Sequence, residues 1–289
     1  MIPAPHILYC HCASARLLPV ETREAALRAL CLSGLPFDAV PDLCGLSARR
    51  DPILHRVAAA GRIVVAACHP RAVRWLFVAA GAGLPAEAAR LLNLRTETAE
   101  AVCAALREIA PGETSLPPRD FQTLWDQLES ASASPDGWTP WAPVIDYDRC
   151  TGCLQCLSFC LFGVYAVGSD SRIEVRSPQQ CKTGCPACAR VCPEAAILFP
   201  KHEAEAISGG MDAGAHEAMK VDLSAMLGGD LYSRLRERNP RFSKERDPAL
   251  ALQERQKFLS AAAGDPAPEA AAQAGGTRIP PAPSPEKPQ

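Results

Sequence analysis

The sequence predicts an α/β N-terminal domain built on a small parallel sheet, then a compact α+β domain organised by cysteines, then a helical and finally disordered C-terminal segment. Three observations lead there. Short apolar runs alternate with helical patterns through the first part of the chain. Eight of the fourteen cysteines crowd between Cys150 and Cys192. Beyond residue 263, alanine, proline, glycine and charge dominate, and large apolar residues are too scarce to fold alone.

With 289 residues the chain can bury one large core or two smaller ones. Its net charge of −2, with acidic and basic residues dispersed, argues against a nucleic-acid footprint or a polybasic membrane patch. The longest near-apolar stretch, 75–85, falls far short of the roughly 20 residues that span a bilayer, so any membrane link would run through a partner. The start, MIPAPHILYC, lacks the basic and long apolar regions of a secretory signal. A cytoplasmic, reducing setting is therefore expected, and disulfides are not.

The first domain is expected over 1–110. Runs at 6–9 (HILY) and 62–67 (RIVVAA) have the composition of buried parallel strands, and 37–40 (FDAV) is a weaker third. Between them, 22–33 places Ala25, Ala26, Ala29 and Leu30 on one side of a helix. A second helix over 51–60, with Asp51 as cap before Pro52, groups Ile53, Leu54, Val57 and Ala58. Strand, helix, strand, helix, strand argues for right-handed parallel crossovers.

Each candidate strand ends near cysteine: Cys10 and Cys12 after the first, Cys44 after the second, Cys68 after the third. In a parallel sheet those ends share one edge, where α/β folds bind ligands, so four thiols are expected to converge. They would form an additional thiol site, either a metal or iron–sulfur site or a redox thiol pair; the alternative is that they are small buried residues. His11 and His69 flank these thiols and could ligate or tune them, although hydrogen bonding is the commoner role. Cys31 and Cys103 fall inside helical patterns, as core residues do.

Gly81-Ala82-Gly83-Leu84-Pro85-Ala86 formally matches the dinucleotide fingerprint, with a helix expected after it and Glu100 near the ribose-binding distance. Residues 71–80 read as a helix rather than a strand, and a turn after a helix needs glycines equally. Flavin binding is accordingly not favoured. The stretch 111–143 is rich in proline, serine and aspartate and reads as a linker with one short amphipathic helix around 121–128. Trp138 and Trp141 are expected to pack as aromatic cover over the domain that follows.

That second domain, over 144–202, is organised by Cys150-x2-Cys153-x2-Cys156-x3-Cys160 and Cys181-x3-Cys185-x2-Cys188-x3-Cys192-Pro193. Three cysteines spaced by three residues let a tight loop aim three thiolates at one face of an iron–sulfur cubane, and thiolate softness suits such clusters. A structural zinc site takes four ligands, usually from two separated Cys-x2-Cys knuckles, and fits two four-cysteine runs poorly.

The segment 146–201, through CTGCLQCLSFC and CPACARVCP, resembles a bacterial-type two-cluster [4Fe-4S] ferredoxin. The resemblance implies that the fourth cysteine of each run ligates the other cluster. One cubane would then be held by Cys150, Cys153, Cys156 and Cys192, the other by Cys181, Cys185, Cys188 and Cys160. Two departures stand out: Leu161 replaces the usual proline after the fourth cysteine, and Lys182-Thr183-Gly184 widens the second run by one residue.

Fragments of the first hundred residues, YCHC at 9–12, LC at 43–44, VVAACHPR at 64–71 and AGLPAEAARLLNLR at 82–95, resemble the N-terminal domain of the iron–sulfur flavoprotein component of heterodisulfide reductase. That resemblance implies an electron-relay context. Thr96-Glu97-Thr98 stands where that family carries a further cysteine, which weakens the case for a family-type cluster in this domain.

A helical extension is expected over 203–262. It includes 221–239, with Leu223, Met226, Leu227, Leu231 and Leu235 and a basic end at Arg234, Arg236, Arg238 and Arg241, and a further helix over 248–262; a disordered tail follows over 263–289. No Ser/His/Asp signature, paired-carboxylate motif or phosphate loop is present, so no catalytic residue is assigned. The expected function is electron transfer, as a carrier or redox-complex subunit with two [4Fe-4S] clusters and redox proteins as partners. The alternatives are a small iron–sulfur oxidoreductase with reactive thiols, a third cluster or a cofactor such as flavin in its first domain, and a zinc-bound scaffold.

Overall fold

The computed structural model describes residues 5–109, 116–131 and 138–210, which belong to one compact unit. Within it, a sheet lobe carries β1 (His6–Cys10), α1 (Val20–Leu32), β2 (Phe37–Val40), α2 (Leu43–Ala48), α3 (Pro52–Ala58), β3 (Ile63–Ala67), α4 (Pro70–Ala79), β4 (Ala89–Asn93) and α5 (Ala99–Ile109). The sheet is four-stranded in the order β2-β1-β3-β4, and every pair is parallel. Each residue of IVVAA in β3 is buried, as a central parallel strand covered on both faces requires. On the helices, α1 packs with α5, while α4 packs with α2.

Local chemistry sets the helix starts. The Asp42 carboxylate caps α2 by accepting from Gly45 N at 3.1 Å, and Asp51 caps α3 by accepting from Ile53 N at 3.0 Å, with Pro52 at the first turn. The three expected strands and the helices between them are present, and β4 is an addition. It occupies 89–93, where a helix was expected after the glycine-rich turn. As an edge strand with only Leu92 buried, it lacks both the apolar run and the clean alternation that mark strands in a sequence.

The short helix expected in the 111–143 stretch is α6 (Phe121–Ser130), capped by Asp120, whose carboxylate accepts from Thr123 N at 3.0 Å. It does more than tether: Leu124 and Leu128 are buried in the core of the sheet lobe.

A cysteine-rich lobe follows. β5 (Val144–Ile145) pairs antiparallel with β8 (Ile197–Leu198), and β6 (Tyr165–Val167) pairs antiparallel with β7 (Ile173–Val175). Two short helices, α7 (Gln155–Phe159) and α8 (Ala187–Val191), pack on each other, and α9 (Glu205–Ser208) closes the described chain. The β5–β8 ribbon is where the lobes join. Side chains alternate across a strand, so the facing pair Val144 and Leu198 enters the core of the sheet lobe, while Ile145 and Ile197 enter the core that holds Cys156, Cys188 and Cys192. Trp141 stacks on Phe199 with centroids 5.4 Å apart and packs against this second core, as aromatic cover would.

The helices expected over 221–239 and 248–262 and the tail over 263–289 lie outside the described residues. Among the described residues no helix is long and apolar enough to cross a membrane.

Candidate metal centre

In the cysteine-rich lobe the two runs fold alike. Gly152 (φ +70°) and Leu154 (φ +60°) are left-handed, and these two turns curl the first loop back on itself. Cys156 then sits in the first turn of α7 and Cys160 at its C-cap. In the second run Gly184 (φ +76°) bends the loop, Cys188 sits in the first turn of α8, and Cys192 caps it. The third and fourth cysteines of each run are thus about one helical turn apart.

Two recesses divide the eight cysteines. One is lined by Cys150, Cys153, Cys156 and Cys192. The other, of about 410 Å³, is lined by Cys160, Cys181, Cys185 and Cys188, with Phe159, Leu161, Phe162 and the Lys182–Gly184 loop at its rim. Both departures from the family pattern therefore face the second recess, where Leu161 is 90% exposed.

Burial disfavours free thiolates at Cys156, Cys181 and Cys188. Desolvation, reinforced by Cys192, Cys150 and Cys153, pushes Cys156 up to about 11. Desolvation with Cys185 and Cys160 pushes Cys181 up to about 12. Cys188 is also pushed up to about 12 by burial, although the Tyr165 hydroxyl pulls against it. Such sulfurs become thiolates when a soft cation takes their protons' place. Donors already point at two of them: Tyr165 Oη donates to Cys188 Sγ at 3.1 Å, and Ala196 N donates to Cys192 Sγ at 3.2 Å. Among the described residues, no three His, Cys, Asp or Glu side chains close on a single ion. The eight cysteines instead line two recesses of unequal size, the first nearly closed at about 10 Å³ and the second open at about 410 Å³. All fourteen cysteines are unpaired.

The sheet edge brings the other four thiols together. Cys10, Cys12, Cys44 and Cys68 are electrostatic neighbours, each raised chiefly by burial and then by the charges around it, Cys68 up to about 12. Leu43 N donates to Cys10 Sγ at 3.3 Å. Within this group lies a buried cation that the spacing of cysteines could not reveal. Lys201, from the chain just beyond β8, ion-pairs with Asp42 and donates to Ser14, whose hydroxyl also donates to Asp42. Burial pulls the Lys201 ammonium down, but Cys44 and Asp42 outweigh it and hold it above its ordinary range.

Neither flanking histidine joins the thiols through a hydrogen bond. His11, fully buried, turns the other way: Nδ1 meets the Tyr9 hydroxyl at 3.1 Å, and Nε2 meets Glu129 Oε1 at 3.0 Å beside Arg23. Trp125 of α6 stands edge-on to its ring at 4.6 Å. The stretch 111–143, read as a linker, thus supplies through α6 the partner that satisfies His11. His69 Nδ1 lies 3.4 Å from Asn93 Nδ2, and its buried Nε2 has no hydrogen-bond partner among the described residues. Cys31 is buried in α1, and Cys103 Sγ donates to Ala25 O at 3.6 Å, both structural roles.

The dinucleotide fingerprint fails on topology. Gly81 (φ +79°) ends α4, and the chain next forms β4, so no strand precedes the glycines and no helix start follows them to receive a phosphate.

No family model and no solved structure matches the chain. Among curated proteins it is 44% identical over 61 residues to an uncharacterized ferredoxin of Methanocaldococcus jannaschii, a match covering 21% of this chain and 41% of that protein. It is 36% identical over 75 residues to Ferredoxin-3 of a Nostoc species, covering 20% of this chain and 76% of that protein. The chain therefore spans about two-fifths of the length of the first relative and three-quarters of the second.

Proposed function

We propose, from the premise that the chain belongs to the ferredoxin family through about a fifth of its length, that it is an electron-transfer protein or redox-complex subunit carrying two [4Fe-4S] clusters. The observation that carries this reading is the division of eight cysteines into two crossed quartets, each around its own recess. Cys150, Cys153, Cys156 and Cys192 would hold one cubane; Cys160, Cys181, Cys185 and Cys188 the other. Bound there, the cubanes supply one-electron outer-sphere transfer. The chain's own residues do the rest: the left-handed loop turns aim the sulfurs, the Tyr165 hydroxyl and the Ala196 amide stabilise their negative charge, and the cores around Ile145 and Phe199 exclude water. Redox proteins are the partners, and the unpaired cysteines fit the reducing cytoplasm.

The convergence of Cys10, Cys12, Cys44 and Cys68 supports a second reading beside the first. This quartet is a third thiolate site that extends the electron path into the sheet lobe, which would make the chain a small iron–sulfur oxidoreductase or the relay of one. Four soft donors, two buried and two half-buried, with an amide on Cys10 and a cation near Cys44, match the ligand chemistry of a cluster.

Both readings are tested on anaerobically purified full-length protein by iron and sulfide counts with EPR of the reduced state. Two cubanes require about eight irons per chain and a third raises the count to about twelve. A colourless protein, or zinc in place of iron, would overturn the assignment.

A further inference from the structure

We propose that Lys201, delivered by the cysteine-rich lobe, is the positioning cation of the Cys10, Cys12, Cys44 and Cys68 quartet, so that this site is shared between the two lobes. The inference rests on reading the quartet as a cluster site and adds to that reading what controls its charge.

Lysine is almost never buried without a partner, and Lys201 is only 8% exposed. Its ammonium is held by Asp42 and Ser14, both of the sheet lobe. Asp42 is itself buried and caps α2; the next residue, Leu43, donates to Cys10 Sγ, and the one after is Cys44. The carboxylate therefore stands at the start of the helix that carries Cys44, where its negative charge opposes thiolates at Cys10, Cys12, Cys44 and Cys68. Lys201 acts with the favourable sign on Cys12 and Cys44, and Arg95 does so on Cys68. Arg95 also reaches across the junction, donating to the carbonyls of Pro200 at 3.3 Å, His202 at 2.9 Å and Glu203 at 2.7 Å. Those bonds grip the chain on both sides of Lys201 and fix where its side chain enters.

Iron held by four thiolates carries net negative charge, and an added electron deepens it. A fixed buried cation stabilises the reduced form more than the oxidised one, and a fixed carboxylate does the opposite. Lys201 and Asp42 thus bias the same equilibrium in opposite directions. A purely structural pair would not: loosening either end would disturb the site in the same way.

The test is an EPR-monitored redox titration of the anaerobic full-length protein, following the signal that Cys44→Ser removes. Lys201→Gln is expected to lower its midpoint by at least the 59 mV that corresponds to tenfold for one electron. Lys201→Arg should retain the midpoint, and Asp42→Asn should raise it. With about twelve irons still bound, an unchanged midpoint in Lys201→Gln, or shifts of the same sign in Lys201→Gln and Asp42→Asn, would overturn the role of Lys201 and leave the quartet standing. A wild-type count of about eight, with no signal lost in Cys44→Ser, would overturn the quartet and the role of Lys201 together. Should Lys201→Gln lose the third share of iron, Asp42→Asn decides alone: an upward shift supports the proposal and its absence overturns it.

Discussion

Arg71 and Asp146 form the buried joint between the two lobes. Arg71 Nε donates to Asp146 Oδ2 at 2.6 Å, and the other arm of the guanidinium donates to the Ala195 carbonyl at 2.7 Å. Arg71 lies in α4, three residues beyond Cys68. Asp146 opens the first cysteine loop: its carbonyl accepts from Cys150 N at 3.0 Å, and its Oδ1 accepts from Asp148 N at 3.1 Å. One carboxylate thus orders the loop that aims Cys150 and ties it to the sheet lobe.

Removing the arginine strands a carboxylate that is 4% exposed, since Arg149 approaches it only to 4.0 Å. Arg71→Leu should cost about 3 kcal/mol, lowering the anaerobic thermal midpoint by roughly 6–12 °C. The Arg71→Leu/Asp146→Asn double variant should recover part of that loss. Additive losses in the double-mutant cycle would show that the pair is not coupled.

Crossed ligation makes a prediction about which variants share a phenotype. Cys160→Ser should abolish the same EPR signal as Cys181→Ser, and Cys192→Ser the same as Cys150→Ser, each with loss of about four irons. If Cys160→Ser extinguishes the signal of its own run instead, each run closes on itself and the recess assignment is wrong.

The hydrogen bond from Tyr165 to Cys188 should be visible as a potential. A hydroxyl donating to a ligand sulfur stabilises the more negative, reduced state, so Tyr165→Phe should lower the potential of the second centre. A net bond worth ~1 kcal/mol corresponds to roughly 40 mV for one electron. Iron content should stay the same. A potential that does not move would mean that the hydroxyl serves packing alone.

Glu129 carries a pH signature. Partial burial pulls its carboxyl upward, but His11 and Arg23 outweigh that and hold it below its ordinary value of 4.5. A depressed carboxylate stabilises the fold above the unfolded value, and the contribution is lost as pH falls through the folded one. Glu129→Gln, which leaves the buried Arg23 without its counter-charge, should cost about 2 kcal/mol at pH 7, less than a fully buried pair because Glu129 is 25% exposed. The gap between wild type and variant, read by Trp125 fluorescence during unfolding, should close below pH 4.5. Acid loss of iron is common to both proteins and cancels in the comparison. A gap independent of pH would falsify the ionic role.

Much of the molecule is legible in the chain because its signals are local. Runs such as IVVAA declare a buried parallel strand, Asp51-Pro52 declares a helix start, and the three-residue cysteine spacing declares loops wrapped round something larger than one ion. The placement of Cys10 and Cys68 at the same end of neighbouring strands is readable too, since a parallel sheet puts strand ends on one edge whatever the details. β4 escapes because an edge strand buries too little to write a pattern, and His11 was open to misreading because its partner Glu129 lies 118 positions away.

By itself, then, the sequence determined the parallel α/β lobe, the two cysteine runs and their suitability for soft metal clusters, all properties of neighbours along the chain. Only the tertiary structure decided that α6 belongs to the first core, that the β5–β8 ribbon faces two cores at once, and that Lys201 pairs with Asp42 of the other lobe. The physical reason is that burial and charge act through space: a lysine 159 positions from its carboxylate leaves no periodic trace, yet the fold brings the two together out of water.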